Sequence, residues 1–292
     1  MYVPIHSDFI IHWTGIDIDN DKNWEKSNSS KTNKEETDLY LNRLKSILKY
    51  GLWMNKEKGD EFIDVDFPPH KIKRPLVSRT CFTELQLSKV RSHAKKFGRL
   101  GIGFKRFFLF DRNGGPMNYY CSESKNWIFY PALQNNNKYG DDAYYSCFLK
   151  PMYKKSTDKE TRKYSYYDES EWRIIYSEEI GKAFENLTHF FKTPKEWSED
   201  FNKYLKEHCK NQPDYLIPLN TDGKTISRWF AMIIYPSLSA KVEAERDQEI
   251  RRLIQTLKPE IKTPTNGEKT ENAYYESYSK PLEVDLDACR NF

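Results

Sequence analysis

Cysteine is scarce and scattered in this chain: five residues, Cys81, Cys121, Cys147, Cys209 and Cys289, with no Cys-x-x-Cys pair. That spacing supports neither a structural zinc site nor a disulfide framework, and a reducing, cytoplasmic compartment is the simplest expectation. No metal site is expected. Long apolar runs are also missing, and nothing approaches the ~18 residues that a membrane span needs. The first twenty residues lack the basic-then-apolar order of a secretory leader. Net charge is small as well: 47 Lys and Arg stand against 43 Asp and Glu, leaving +4. Such an excess does not by itself imply nucleic acid.

What is abundant is aromatic and charged. Aromatics make up 15% of the 292 residues and charged side chains 31%. Mean hydropathy is −0.86, yet this aromatic content argues against a disordered chain. Short β-rich runs alternate with helical patterns, without regular βαβ spacing. Strands are predicted at 8–14, 76–83, 101–110, 117–121, 171–176, 215–219 and 229–235. Helices are predicted near 41–51, 85–97, 194–209 and 244–257. The pattern predicts an α+β fold with a mixed, mostly antiparallel sheet and flanking helices. A single domain is expected over 1–262, with a polar, mobile insertion at 19–38. The stretch 263–292 reads as an acidic tail, with six acids and two lysines between Glu268 and Asp287, that either packs by its Tyr residues or stays loose. The Gly101-x-Gly103 pair lacks a third glycine and lies inside a strand, so it is a poor dinucleotide fingerprint.

Three groupings could carry chemistry. Between Pro68 and Phe110 stand eleven Lys and Arg and one acid, Glu84. Lys89, Arg91, Lys95, Lys96 and Arg99 from this run form a candidate nucleic-acid-binding face, against the alternative of a solvated helix side. His12 precedes a glycine-ended strand, where backbone can approach a ligand closely. Glu169 and Glu171 stand at i and i+2 at a strand entrance and share a face there. The commoner outcome for such a pair is an exposed strand edge with a salt bridge to Arg173 or a lysine; the other is a catalytic or ribose-binding glutamate. Cys81 has no neighbouring His-Asp pattern to mark it as a nucleophile.

Several of these residues fall in one longer pattern. Thr80-Cys81-Phe82-Thr83-Glu84-Leu85, His93, Phe97-Gly98, Gly101-Ile102-Gly103-Phe104 and Pro116-Met117-Asn118-Tyr119 together resemble the AbiGi-type abortive-infection family. Leu44-x-x-Ile47-Leu48-x-x-Gly51-Leu52 fits upstream. Phe97 stands where the family usually has Tyr, and Met117 where it has Val. The resemblance implies a bacterial phage-resistance protein, often the antitoxin of a toxin–antitoxin pair, with a toxin or phage protein as partner.

A second resemblance is to the ADP-ribosyltransferase fold of the His-Tyr-Glu type. It rests on His12-Trp13-Thr14-Gly15, Arg79-Thr80-Cys81-Phe82-Thr83-Glu84 and Ser170-Glu171-Trp172-Arg173-Ile174-Ile175-Tyr176, in that order. Cys81 replaces the tyrosine that stacks on nicotinamide. This resemblance implies NAD as substrate, with ADP-ribose passed to a nucleic acid or protein. Catalysis would fall to Glu171 and Glu169, and NAD binding to His12, Thr14, Phe82 and Thr83. Such a site requires His12 and Glu171 to face one cleft from one side of the sheet.

Overall fold

The computed structural model describes residues 9–19, 24, 31–56, 62–66, 69–84, 89–120, 142–151, 170–209, 211–221, 224–225, 229–256 and 281–291. Seven strands form its main sheet: β1 (Phe9–Thr14), β2 (Ser78–Thr83), β3 (Leu100–Lys105), β4 (Gly115–Pro116), β5 (Glu171–Tyr176), β6 (Phe230–Tyr235) and β7 (Leu282–Asp285). Their spatial order is β7-β6-β3-β1-β2-β5-β4. Every pairing in this sheet is antiparallel except the parallel β6–β7 pair. The α+β class and the mixed, mostly antiparallel sheet are therefore as the sequence pattern implies.

Helices cover both faces. On one face lies α1 (Lys34–Tyr50). Its start is fixed by a capping box: Asn33 Oδ1 accepts from the Glu36 amide at 2.8 Å, and Glu36 Oε2 accepts from the Asn33 amide at 3.2 Å. Its Tyr40, Leu44 and Ile47 pack with Ile10, Phe82, Ile102, Phe104 and Ile174 of the sheet. Each such fully buried side chain contributes roughly 1.5–3 kcal/mol relative to exposure. The opposite face is covered by α2 (Val90–Phe97), whose Val90 and Ala94 pack against Ile11, Trp13, Met232 and Ile234. Two glycines of β3 make room there. A Cβ on Gly101 would lie 3.0 Å from the Trp13 ring, and one on Gly103 would lie 2.7 Å from Met232 Cβ. The Gly101-x-Gly103 pair is thus a packing device.

Four segments differ from the sequence reading. The 101–110 run is not one strand: β3 stops at Lys105, and Phe107–Phe110 forms a helical turn. The expected helix over 244–257 is two, α4 (Leu238–Arg246) and α5 (Gln248–Thr256), after α3 (Glu199–His208). Asp247 breaks the pair, because its carboxylate accepts from the Ile250 amide at 3.0 Å and caps α5. The expected tail is overturned in its last part. Residues 282–285 are β7, anchored by Glu283, which accepts two bonds from Arg251 at 2.8 Å and one from the Tyr235 hydroxyl at 2.6 Å. The expected insertion at 19–38 also carries structure: Asp19 and Trp24 are buried, and α1 begins at Lys34.

Candidate functional site

The strand pairing opens a cleft in the middle of the sheet. β1 and β3 are registered along six residue pairs, from Phe9↔Lys105 to Thr14↔Leu100. β1 and β2 are registered at Ile11↔Thr83 alone. A cavity of about 210 Å³ lies where the two strands part. β2 and β5 line it with Arg79, Cys81, Thr83, Glu171 and Arg173, and Lys150 reaches in from a short strand at Leu149–Pro151. Trp13 and Phe97 supply its apolar border.

The pleat explains this set. Glu171 pairs with Thr83 and Arg173 with Cys81 across β5 and β2. Residues directly opposite share a face, so these four side chains stand in one block. Their neighbours Trp172, Ile174, Thr80 and Phe82 turn the other way, toward α1.

Glu171 is held on both oxygens. Oε1 accepts from Arg173 Nε at 2.6 Å, and Oε2 accepts from Lys150 Nζ. Its amide donates to the Tyr119 hydroxyl at 2.9 Å. Burial alone would raise this carboxyl, but Arg173 and Lys150 outweigh burial and hold it at about 2. Cys81 sits on the cleft floor, where water reaches it although protein surrounds it. Burial first, and then the Glu171 charge, push its thiol up to about 12, so it is neutral at physiological pH. Arg79 is driven down by burial and by the Arg173 charge.

His12 borders the same cavity but projects from the other face. It stands opposite Ile102 on β3, in the row that includes Ile10 and Phe104, and its ring lies 5.7 Å from that of Phe82. Its Nδ1 is 2.9 Å from the Cys81 carbonyl. Burial lowers its pKa, so the imidazole is neutral and Nδ1–H donates to that carbonyl. The expectation that His12 and Glu171 approach a ligand from one side of the sheet is corrected by this alternation. Thr14 points with His12, toward α1, where its hydroxyl accepts from Arg43 at 3.1 Å. Phe82 also borders the cavity, but it is buried and packs edge-on against Phe104 and Phe108 in the core. Thr83 lies in the cavity beside Glu171. Glu169 falls outside the described residues.

The basic run divides. Lys89, just before α2, and Lys95 and Lys96 within it are exposed. Arg91 is partly covered: it pairs with Asp287 at 3.4 Å and lies 5.0 Å over the Trp24 ring. Arg99 does not belong to that surface at all. It is 1% exposed, bonded through Nε to Asp19 at 2.6 Å and paired through Nη2 to Glu36 at 3.4 Å. Gly98, at φ +111°, turns the chain inward just before it, passing so close to Thr14 that a Cβ would lie 2.3 Å from the Thr14 carbonyl oxygen.

The block in β2 and β3 thus builds both the cleft floor and the glycine-lined contact beside it. A family described as "Putative abortive phage resistance protein AbiGi, antitoxin" matches residues 67–214, half of the chain. The chain belongs to the AbiGi family. That match spans Arg79, Cys81, Lys150, Glu171 and Arg173, the charged part of the cleft, and all of α2. No curated protein and no solved structure matches the chain. Among the described residues, no helix is long and apolar enough to cross a membrane. AbiGi membership therefore supplies the setting, phage resistance, and the cleft supplies the chemistry to be explained.

Sequence reasoning singled out Glu171 and allowed for its pairing with Arg173 or a lysine; both partners are present. It missed Lys150, which comes from a stretch without hydrophobic period, and it did not assign Arg79 to a site. Arg79 was recoverable: it precedes Cys81 by two and so shares its face in a strand.

Proposed function

We propose that this chain is the antitoxin of a phage-resistance pair and acts by binding its partner, without turning over NAD. One observation carries the reading: both oxygens of Glu171 are occupied by cations of the protein itself. A glutamate that stabilises a developing oxocarbenium-like centre must present a carboxylate oxygen to the substrate. Here that charge is already neutralised. His12 adds to the argument, because its imidazole is neutral, bonded to a backbone carbonyl and directed from the opposite face. The antitoxin description of the family favours a protein partner over nucleic acid.

The transferase-like alternative, with NAD as substrate, keeps one observation in its favour: His12 and Glu171 border the same cavity. The two readings part in one experiment. Purified protein is incubated with NAD, with and without DNA, RNA or cell lysate, and nicotinamide release is followed. In parallel, cells carrying the toxin of the resistance pair are scored for growth with wild-type chain or Glu171→Gln. No nicotinamide release, together with growth rescue by both forms, is expected. Release that disappears in Glu171→Gln would overturn the proposal, as would failure of the wild-type chain to rescue growth.

A further inference from the structure

The turn that follows β3 combines three unfavourable features. Phe107–Phe110 makes one helical turn, and the chain leaves it through Asn113 at φ +53°. That left-handed region is uncommon for any residue but glycine, although asparagine tolerates it. Arg112 is fully buried. Its Nη1 donates to the Phe108 carbonyl at 2.9 Å, while Nε and Nη2 meet no acceptor among the described residues. Its guanidinium lies against the Phe108 and Phe190 rings instead, 4.0 and 4.5 Å from their centres. A buried cation with open donors is costly. The third feature is at the surface: Phe107 and Phe110 are each 50% exposed. Strained local structure persists only where its surroundings over-determine it, and it gathers at functional sites.

The exposed rings belong to one aromatic patch. Phe107 and Phe110 meet edge to face at 6.0 Å. Phe107 stacks on Trp229 at 5.2 Å, and Phe110 lies 6.1 Å from Trp172. Both indoles are pinned, because Trp229 Nε1 donates to Asp111 at 2.9 Å and Trp172 Nε1 donates to Glu84 at 3.0 Å. Those bonds hold the base of the patch in place and occupy the indole donors, so whatever covers the two phenylalanines meets them by apolar area. The flanking charges balance. Lys105 and Arg106 precede Phe107, Asp111 follows Phe110, and Glu84 pairs with Arg106 at 2.8 Å. Such a surface is complementary to uncharged side chains.

Area bears on the occupant. A phenylalanine offers about 150–250 Å², so two half-exposed rings offer about that much between them. A stable dimer buries about 800 Å² on each partner, and a second copy would find most of its interface elsewhere. Two rigidly based aromatic rings are instead the size of an anchor cluster within a larger heterologous interface. We propose that the Phe107–Phe110 turn is the anchor by which this chain holds its toxin, receiving uncharged aliphatic or methionine side chains of that partner. The inference rests on the partner reading above and adds the surface to it. Phe107, Phe110 and Trp172 all lie within the stretch that matches the AbiGi family.

The test uses the purified toxin of the resistance pair. Its affinity for the whole chain is measured by titration calorimetry, and the chain alone is sedimented. Wild type is expected to bind. Phe107→Ser and Phe110→Ser are each expected to weaken binding about thirtyfold or more, as for loss of a central aromatic anchor. Phe107→Leu and Phe110→Leu keep apolar cover over the tryptophans and should lose about fivefold each; they carry the test if a serine variant unfolds, which a melting curve of each variant shows. Undiminished affinity in folded variants of both phenylalanines would overturn the anchor and leave the partner reading standing. Absence of binding by wild type would overturn both. A wild-type chain that sediments as a dimer, with Phe107→Ser a monomer, would assign the patch to a second copy and likewise overturn the proposal.

Discussion

Arg99 and Arg173 make the same primary contact in two parts of the molecule. Each is buried, and each donates from Nε to a carboxylate at 2.6 Å. The surroundings differ in sign. Arg99 faces two acids, Asp19 and Glu36, and its guanidinium lies over Trp24 and Tyr40 at 5.2 and 5.7 Å. The Tyr40 hydroxyl donates to Asp19 at 2.5 Å and accepts from the Arg99 amide at 3.2 Å, which closes the group upon itself. Arg173 faces one acid and two further cations, and a cavity lies beside it. A buried arginine with surplus acid and aromatic cover ties α1, Asp19 and Trp24 to the start of β3. Arg173, which shares its acid with Lys150 and borders a cavity, is not enclosed in this way.

The largest effect is expected where that contrast is broken at the closed end. Arg99→Gln removes the cation and leaves Asp19 and Glu36 buried against each other. Removing one member of a buried ionic group typically costs about 3–5 kcal/mol, and urea unfolding at pH 7 should show a loss in that range. A loss below about 1 kcal/mol would mean that Arg99 does not tie these elements together. The arginine's place in a basic run predicted the opposite, a tolerant surface position.

A second, intermediate effect lies in the acid limb, where the open cleft has two groups shifted in different windows. Glu171 is held at about 2 against an ordinary 4.5. Its folded pKa is depressed, so its stabilisation is present above pH 4.5 and is lost as pH falls from 4.5 toward 2. His12 is lowered from 6.5. For a base this means that the unfolded chain takes up the proton first, so stability declines as pH falls below 6.5. Melting temperature followed from pH 7.5 to 3 is therefore expected to fall in two stages. His12→Asn should flatten the upper stage, and Glu171→Gln should flatten the lower one while lowering the melt at pH 7. A single stage unaffected by either substitution would contradict both assignments.

The two arginines also measure how far the sequence could be read. Period and punctuation located β1, β2 and β5 closely, because each is a short apolar or alternating run bounded by Gly, Pro or Ser. The pairing order that splits β1 from β2 is a tertiary fact with no local signal, and the cavity follows from that split. Glu171 and Arg173 were visible as an i, i+2 pair on one strand face. His12 was visible too, but its facing depends on register, and a one-residue offset reverses every side chain. Arg99 was misread because a charge run records density along the chain and not direction. The glycine at 98 turns the chain inward within that run. β7 was misread because an acidic, tyrosine-rich stretch looks solvated until Arg251 and Tyr235 are placed opposite Glu283.

The smallest effect concerns what remains of the basic run once its arginines are accounted for. Arg99 is enclosed, and Arg91 lies against Trp24 and Asp287, so three of the five residues, Lys89 just before α2 and Lys95 and Lys96 within it, are exposed. Each phosphate contact changes the slope of log affinity against log salt by about 0.9 on duplex DNA. Three contacts therefore set a slope no steeper than about −2.7, whereas all five would give about −4.5. If this face binds a random duplex, its affinity measured between low and physiological salt should follow the shallower line, and replacing all three lysines by Gln should flatten it. Lys95 and Lys96 end α2, where a cation interacts favourably with the helix C-terminus, so each substitution is paired with its own melting curve. A slope near the five-contact value would place Arg91 and Arg99 at the surface in solution. That would undo the contrast between the closed cluster and the open cleft, because Arg99 cannot contact a phosphate while bonded to Asp19.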